Sequence, residues 1–514
     1  MNPPDAAFTP SQAQQLQRWL IGAALGSAAV RLWIALAFPI TGDEAFFYWW
    51  GVFPAWGYYD HPPMVGWLNA LMRWAVADTA WAIRMPAVLL PLFLGAMLLW
   101  TFWRMDPIRA SWAVLFFWLA PINWLNALIT TDTPLVFWSV LSVAFLMRAE
   151  QEKDLSARAW LLYALSGIAL ACAFLSKYFS VVLGFSYLIY FLVFRRDRLN
   201  GLALLLVFAL PGPLINFYWN MSHGWPNIMF NVYNRNQDAS FAWNKPLIYG
   251  AMLGYLITPV GLFLGWVHRG TLLQTFKQQR LLGVLVLLPL LFFSVLSLKK
   301  IVGLHWVLAF YPFGFVWLAF ALPQKALRTC AIGLACFTGL HLLGVLGISL
   351  SSTEQWKNTS IYPSIIRSFK TTELLQQVTT ADSVLMADAY TPASIYGFSL
   401  GQYVPVFGTG KFHARQDDLL VDFSFYQGKT LRIMQSGVPD LDSYRPYFNQ
   451  VRLITLSQSG VIFYAVEGQN FNFEAYRQGV LAAIFKSYYN IPGWLPMTGC
   501  PFCERYCGQV QCPK

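Results

Sequence analysis

From Thr41 to Pro63 the chain reads TGDEAFFYWWGVFPAWGYYDHPP. Three carboxylates, Asp43, Glu44 and Asp60, and the imidazole of His61 stand here among aromatic side chains. They follow Trp19–Phe38 directly, an apolar run long enough to cross a bilayer. Ionisable groups at a membrane boundary are costly and are retained where they serve a function. The stretch therefore indicates a polytopic helical membrane protein and also marks where its chemistry is expected.

Composition agrees. The 514 residues are 57% hydrophobic, 17% aromatic and only 11% charged, against roughly a quarter charged in a soluble domain. The net charge of +11 does not indicate nucleic acid, because membrane topology itself concentrates basic residues in cytoplasmic loops. No basic run with interleaved aromatics forms a nucleic-acid surface. The N-terminus lacks a basic region followed by a small-residue cleavage site, so Trp19–Phe38 reads as an uncleaved first span.

Further apolar runs fall at 84–103, 110–128, 134–148, 158–175, 178–194, 200–219, 247–267, 281–298, 304–322 and 328–350. With the first, they make about 11 transmembrane helices. If the spans alternate, Arg18, Arg104, Arg109, Arg148, Lys153, Arg158, Arg195, Arg196, Arg198, Arg269, Lys277, Arg280, Lys325 and Arg328 share one side, which the positive-inside rule makes cytoplasmic. The outer side then holds the 39–83 loop, Asp132, Lys177, the 220–246 loop, Lys299–Lys300 and everything after about residue 351. Within the first outer loop, Glu44–Phe53 and Pro63–Val76 are too short to span and are expected to lie flat at the interface. Trp49, Trp50, Trp56, Tyr58, Tyr59, Trp67 and Trp74 suit the headgroup level there.

Past Ser351 the pattern changes. Ser383–Ala387, Leu431–Gln435, Arg452–Leu456 and Val461–Val466 read as strands, and Ile361–Val378 and Phe473–Lys486 as helices. The expected organisation is a membrane domain over 1–350 and an extracytoplasmic α/β domain over 351–514, large enough to hold its own core. Its tail carries Cys500, Cys503, Cys507 and Cys512. Two disulfides of unassigned pairing are favoured over a zinc site, since the spacing is compressed for zinc.

The outer polar residues admit both structural and chemical readings. Asp43 and Glu44 suit helix capping, but a second acidic cluster and an aromatic wall adjoin them. Asp43 is the candidate general base toward an acceptor hydroxyl, and Glu44 would orient it or hold the acceptor. Asp60-His61-Pro62-Pro63 is either a rigid turn or a stretch that aims His61 at an anion, with Tyr59 and Asp60 positioning the substrate. Asp132, in Thr131-Asp132-Thr133-Pro134, fits an N-cap and equally a carboxylate that positions the acceptor or a cation. Lys177, Lys299, Lys300, Arg235 and Lys245 are snorkelling cations or, against the positive-inside trend, ligands of an anionic group for which phosphate is the natural candidate; His305 follows the lysine pair as a substrate-positioning residue. No set of residues reads as a dedicated metal site.

These motifs resemble the GT-C glycosyltransferases, in particular the bacterial relatives of the protein O-mannosyltransferases and the lipid A aminoarabinose transferase. The residues that carry the resemblance are Gly42-Asp43-Glu44-Ala45 with Tyr48-Trp49, Gly57-Tyr58-Tyr59-Asp60-His61-Pro62-Pro63, Thr131-Asp132-Thr133-Pro134-Leu135, Leu175-Ser176-Lys177-Tyr178 and His223-Gly224-Trp225. In the tail, Ala387-Asp388-Ala389-Tyr390 and Gly410-Lys411 with His413 and Arg415-Gln416-Asp417-Asp418 look like the same branch. The resemblance implies an enzyme of the bacterial inner membrane whose site and C-terminal domain face the periplasm. Its donor would be a polyprenyl-phosphate-linked sugar and its acceptor lipid A, another glycan or a protein. It also places the family's catalytic Asp on Asp43, its second acidic position on Asp132 and its basic positions on Lys177 and Lys299–Lys300. His61 stands where the aminoarabinose transferase has lysine. No obligatory cofactor is implied, while the clustered carboxylates leave room for a divalent cation. A transporter or flippase of lipid-linked sugars is the alternative, and a subunit that only binds polyprenyl lipids a third reading.

Overall fold

The structure, a computed structural model, describes residues 10–234, 240–410 and 415–507. It divides into two compact units. One consists of Met1–Phe38, Val76–Leu214 and Ala239–Leu350; the other gathers Pro39–Ala75, Ile215–Asp238 and Ser351–Lys514. The expected boundary at residue 350 therefore leaves out two excursions, which fold with the C-terminal region. Composition could not reveal this, because the aromatic side chains of the first loop look interfacial until their partners are known.

Among the described residues seven helices are long and apolar enough to span: Pro10–Ala37, Ala80–Phe102, Asp132–Glu150, Ala157–Ser176, Arg196–Ser222, Arg280–Ser297 and Gln324–Leu350. An eighth candidate is a pair, Asn244–Ile257 and Pro259–Val267, bent by 91°. At the bend Thr258 adopts φ +68°, and its hydroxyl accepts from the Gly261 amide to cap the second half. Pro107–Leu119, Ser180–Phe194 and Tyr311–Ala321 are apolar but shorter. At 1.5 Å per residue none of these three crosses a hydrocarbon core of about 30 Å alone. The eleven expected segments thus coincide with apolar helices, of which seven or eight meet the requirements for spanning.

Each predicted set of connections in the first unit is cross-linked internally. At one end, Glu152 pairs with Arg104 and Arg158, both at 3.4 Å. Arg195 reaches Glu150 at 2.5 Å, and Arg109 donates to the carbonyls of Ala319, Phe320 and Leu322 that close the Tyr311–Ala321 helix. At the other end Lys177 pairs with Asp132, and Lys245 donates to the Lys299 carbonyl.

The second unit carries a four-stranded sheet: β1 (Ser383–Ala387), β2 (Thr430–Gln435), β3 (Gln450–Gln458) and β4 (Val461–Gln469), in the order β1-β2-β4-β3. β1 runs parallel to β2 and the other pairs are antiparallel. Ser459 and Gly460 close the β3–β4 hairpin with φ +51° and +78°, the left-handed pair that a two-residue turn requires. The helix expected over Ile361–Val378 is two, Tyr362–Phe369 and Thr371–Gln376. Two apolar clusters flank the sheet, one on Ile433, Phe471 and Ile484 and one on Leu374, Tyr396 and Phe463.

Candidate functional site

The acidic loop lies in the second unit. Thr41 caps the helix Gly42–Val52 by accepting from the Glu44 amide, and Glu44 Oε2 accepts from the Thr41 amide at 3.1 Å and hydroxyl at 3.0 Å. That is a reciprocal capping box. Its fully buried Glu44 carboxylate is committed to the cap. Asp43, one residue earlier, is exposed in the same first turn. The Tyr390 phenol, on the helix Tyr390–Leu400, donates to Asp43 Oδ1 at 3.3 Å. Burial, and next the Asp43 charge, push that phenol up to about 12, so it remains a donor at neutral pH.

The helix that carries Asp43 packs on Met64–Ala75 and on Tyr390–Leu400. Phe46 meets Tyr390, Tyr48 meets Phe398 and Trp49 meets Tyr403, all edge to face. Trp49 and Trp50, expected at the headgroup level, are 4% and 1% exposed. They are core residues, whereas Trp56 and Trp74 are exposed. A Cβ on Gly42 would stand 1.9 Å from Thr391 Cγ2, so this glycine permits the close approach of the two helices.

Beyond it, the Trp50 and Tyr58 rings stack at 4.2 Å, and the Tyr58 hydroxyl donates to the Trp50 carbonyl at 2.8 Å. The next residues are held by an amide ladder that sequence reasoning missed. Asn216, Asn220, Asn227 and Asn231 bond to one another. Asn227 Nδ2 then donates to the carbonyls of Tyr58 and Tyr59, and Asn231 Nδ2 to that of Asp60. The signal was present as N-x3-N-x6-N-x3-N around His223-Gly224-Trp225. Gly224 and Trp225 both take positive φ, +76° and +57°, and this reverses the chain so that the two asparagine pairs meet. His223 stacks on Trp219 with its Nδ1 2.8 Å from the Trp219 carbonyl. It serves the turn.

From the other side the Tyr59 amide donates to Gln416 Oε1 at 2.9 Å. Gln416 belongs to a buried ionic knot: Arg415 forks onto Asp418 at 2.8–3.1 Å, and Tyr489 donates to Asp418 Oδ2 at 2.8 Å. The Tyr59 phenol is 1% exposed, and burial followed by the Asp418 charge raises its pKa. It therefore faces this knot. So held, Asp60 Oδ2 stands 3.0 Å from His61 Nδ1, close but without the alignment of a hydrogen bond, and the buried Asp60 Oδ1 has no partner among the described residues. Among those residues no three His, Cys, Asp or Glu side chains converge to hold a metal.

The other candidate residues lie in the first unit. Lys177, just past the helix Ala157–Ser176, places Nζ 2.8 Å from both oxygens of Asp132, at the start of Asp132–Glu150, and both side chains are buried. Asp132, Arg31, Asn123 and Tyr311 line a cavity of about 30 Å³, room for a single water. Arg31, inside the first spanning helix, donates to the carbonyls of Ala87, Val88 and Asn123. Lys245 Nζ is taken up by the carbonyls of Ser240 and Lys299, at 2.5 and 2.9 Å. Lys299 and His305 are exposed and Lys300 half-buried. Arg235, Lys411, His413 and Cys512 lie outside the described residues. Cys500 and Cys503 are joined by a disulfide, which removes two of the four thiolates that the zinc alternative needed; Cys507 is disulfide-bonded as well.

The structure thus gathers Asp43, Glu44, Tyr59, Asp60 and His61 in one unit and Asp132, Lys177, Lys245, Lys299 and His305 in the other. The fold is shared with a solved glycosyltransferase structure. The chain is similar to ArnT from Cupriavidus metallidurans in the apo state, with a TM-score of 0.61 and 15% identity, over 88% of this chain and 98% of that one. Against the same protein bound to undecaprenyl phosphate the TM-score is 0.61 and the identity 14%, with the same coverage. The apo oligosaccharyltransferase of Archaeoglobus fulgidus aligns with a TM-score of 0.42 at 14% identity, covering 77% of this chain and 65% of that one. Residues 60–219 match the sequence model of the dolichyl-phosphate-mannose-protein mannosyltransferase family. No curated protein sequence matches the chain.

Proposed function

We propose that the chain is a polyprenyl-phosphate-sugar-dependent glycosyltransferase of the bacterial inner membrane, acting on the periplasmic side. Asp43 takes the proton of an acceptor hydroxyl, whose oxygen attacks the anomeric carbon. The bond from that carbon to the phosphate oxygen breaks, and polyprenyl phosphate leaves with the electron pair. A single in-line displacement inverts the anomeric centre. Charge that develops on the leaving phosphate calls for fixed cations, and His61, Lys177, Lys299, Lys300, Arg235 and Lys245 are assigned to that task. Asp132 orients the acceptor side and Glu44, through its capping box, orients Asp43, with Asp60 and His305 positioning substrate and Tyr59 holding the Asp60 stretch from its buried side. The acceptor is lipid A, a polysaccharide or a protein. No obligatory cofactor is required for a phosphate leaving group.

The observation that carries this reading is the contrast within the Asp43–Glu44 pair. Glu44 is consumed by the capping box, while Asp43 is exposed and met by a phenol that stays protonated. An accessible carboxylate held by one donor suits a general base. The match to residues 60–219 and the ArnT-like fold support the reaction class.

The test is transfer from radiolabelled polyprenyl-phosphate sugar by purified protein, comparing wild type with Asp43→Asn. The variant should fold and lose transfer. Full activity in Asp43→Asn removes Asp43 from the mechanism, and label that crosses a proteoliposome without transfer establishes the transporter alternative instead.

A further inference from the structure

A second cavity, of about 340 Å³, lies at the basic end of the first unit. That volume is at the low end of small-molecule sites, roughly 300–1,000 Å³. The cavity opens where three helices finish, Asp132–Glu150, Ser180–Phe194 and Arg269–Gln278, and where Arg280–Ser297 begins. Its charged lining is Glu150, Arg195, Lys277 and Arg280. Asp132, at the far end of the first of these helices, is 18 residues away, about 27 Å at 1.5 Å per residue. Nothing in the proposed transfer chemistry uses this end.

Its cations fall into two groups. Arg195 is neutralised by Glu150 and Asp197, and Glu150 also accepts from the phenols of Tyr163 and Tyr190. Other arginines at this end are likewise satisfied, Arg104 and Arg158 by Glu152 and Arg109 by carbonyls. Lys277 and Arg280 differ: neither has a carboxylate within ion-pairing distance among the described residues. Arg280 rests its guanidinium on the Phe194 ring at 4.7 Å, which steers the fork without using its donors. The end of a helix accounts for the presence of Lys277, but not for the void in front of it. Gln279, at the start of Arg280–Ser297, makes no side-chain cap and lines the same cavity.

Two uncompensated cations, one a fork and one a point charge, at the open rim of a cavity are a phosphate-binding arrangement. Met105, Met147 and Leu281 give the wall an apolar side, on which the acyl chain of a lipid phosphate can lie, and Gln151, Gln278 and Gln279 a polar one. We propose that Lys277 and Arg280 form a second phosphate site, a membrane's thickness from Asp132, that holds the headgroup phosphate of an anionic phospholipid.

Native mass spectrometry of the full-length protein, released from micelles doped with phosphatidylglycerol or phosphatidylcholine, reads the site directly. Wild type should retain phosphatidylglycerol, and Lys277→Gln/Arg280→Gln should retain at least about tenfold less, as expected for losing two charge-assisted contacts. Phosphatidylcholine retention should be equal in both. The charge-preserving Lys277→Arg/Arg280→Lys should keep the lipid, which separates lost binding from lost folding. A parallel thermal-shift series with inorganic phosphate tests the other source: stabilisation of wild type but not of the glutamine variant, with equal lipid retention, assigns the site to a soluble phosphate. Equal behaviour of all three proteins in both assays overturns the site.

Discussion

Replacing Lys177 by methionine keeps the length of the side chain and removes its charge. In the wild type Lys177 Nζ lies 2.8 Å from both Asp132 oxygens, with the two side chains 10% and 8% exposed. At that distance and an effective dielectric near 20, the Coulomb attraction is about 6 kcal/mol before desolvation is subtracted. Stranding the buried carboxylate should cost about 3–5 kcal/mol. At roughly 2 °C per kcal/mol for a large unit, the thermal midpoint of Lys177→Met should fall by about 6–10 °C. Adding Asp132→Asn removes the stranded charge, so the double variant should recover most of that loss. Function separates the roles. An ammonium has three donors, and Asp132 takes two, which leaves one for a donor phosphate. The double variant should therefore be stable and inactive. Additive losses of stability would refute the ion-pair reasoning, and restored transfer in the double variant would remove Lys177 from phosphate binding.

Three further outcomes follow from the second unit. Gly42→Ala puts a methyl against Thr391 and should cost about 1–3 kcal/mol as an overpacked contact; it should also lower kcat by displacing Asp43 from Tyr390, with Thr391→Gly restoring both, and an unaffected Gly42→Ala contradicts the packing. Asn227→Ala leaves the Tyr58 and Tyr59 carbonyls without their ladder donor, at about 1–3 kcal/mol for each group that water cannot reach; a midpoint equal to wild type would show the ladder to be idle. Asp417 is pushed up to about 6 by burial, against the opposing bonds from Tyr403 and the Val406 amide. Because its folded pKa lies above its unfolded value, the native state holds the extra proton between the two, and stability should rise as pH falls from 7 toward 4. Midpoints measured across that range should show this rise in wild type beyond the change seen in Asp417→Asn, and parallel curves would contradict it.

Much of this was legible because local pattern and global fold agree. The β1 and β2 strands were readable from short apolar runs between turn residues, and β3–β4 from alternation across Ser459-Gly460. Connections expected to share a side are joined through Arg104 and Arg158 on Glu152, Arg195 on Glu150 and Arg109 on the Ala319 carbonyl. Helix length was less legible: Asn244–Ile257 and Pro259–Val267 form one continuous apolar run in sequence, and only the positive φ of Thr258 breaks it. Tertiary partners were not legible at all. Trp49 and Trp50 look like interfacial anchors in isolation; Trp49 is buried because the Tyr390–Leu400 helix, some 340 residues later, packs against it, and Trp50 because Tyr58 stacks on it. The asparagine ladder was visible as a spacing, but amides declare their role only once the carbonyls they reach are known.

What distinguishes Asp43 and Asp60 from the polar groups around them is how completely each is satisfied. Arg31 and Arg84 are buried charges in membrane-spanning helices, and the sequence offers no reason to rank them below Lys177. Yet both donate to backbone carbonyls, Arg84 to those of Ala35 and Phe38 at 3.0 and 2.8 Å, and such cations brace helices. Glu44 and Asp43 are chemically alike and adjacent, but Glu44 is spent on a cap. Asp60 offers an oxygen with no partner in a loop that asparagines, Gln416 and a stacked Tyr58 hold rigid from behind. A buried carboxylate oxygen left open costs free energy that the surrounding bonds must supply. That cost is consistent with the substrate-positioning role proposed for Asp60.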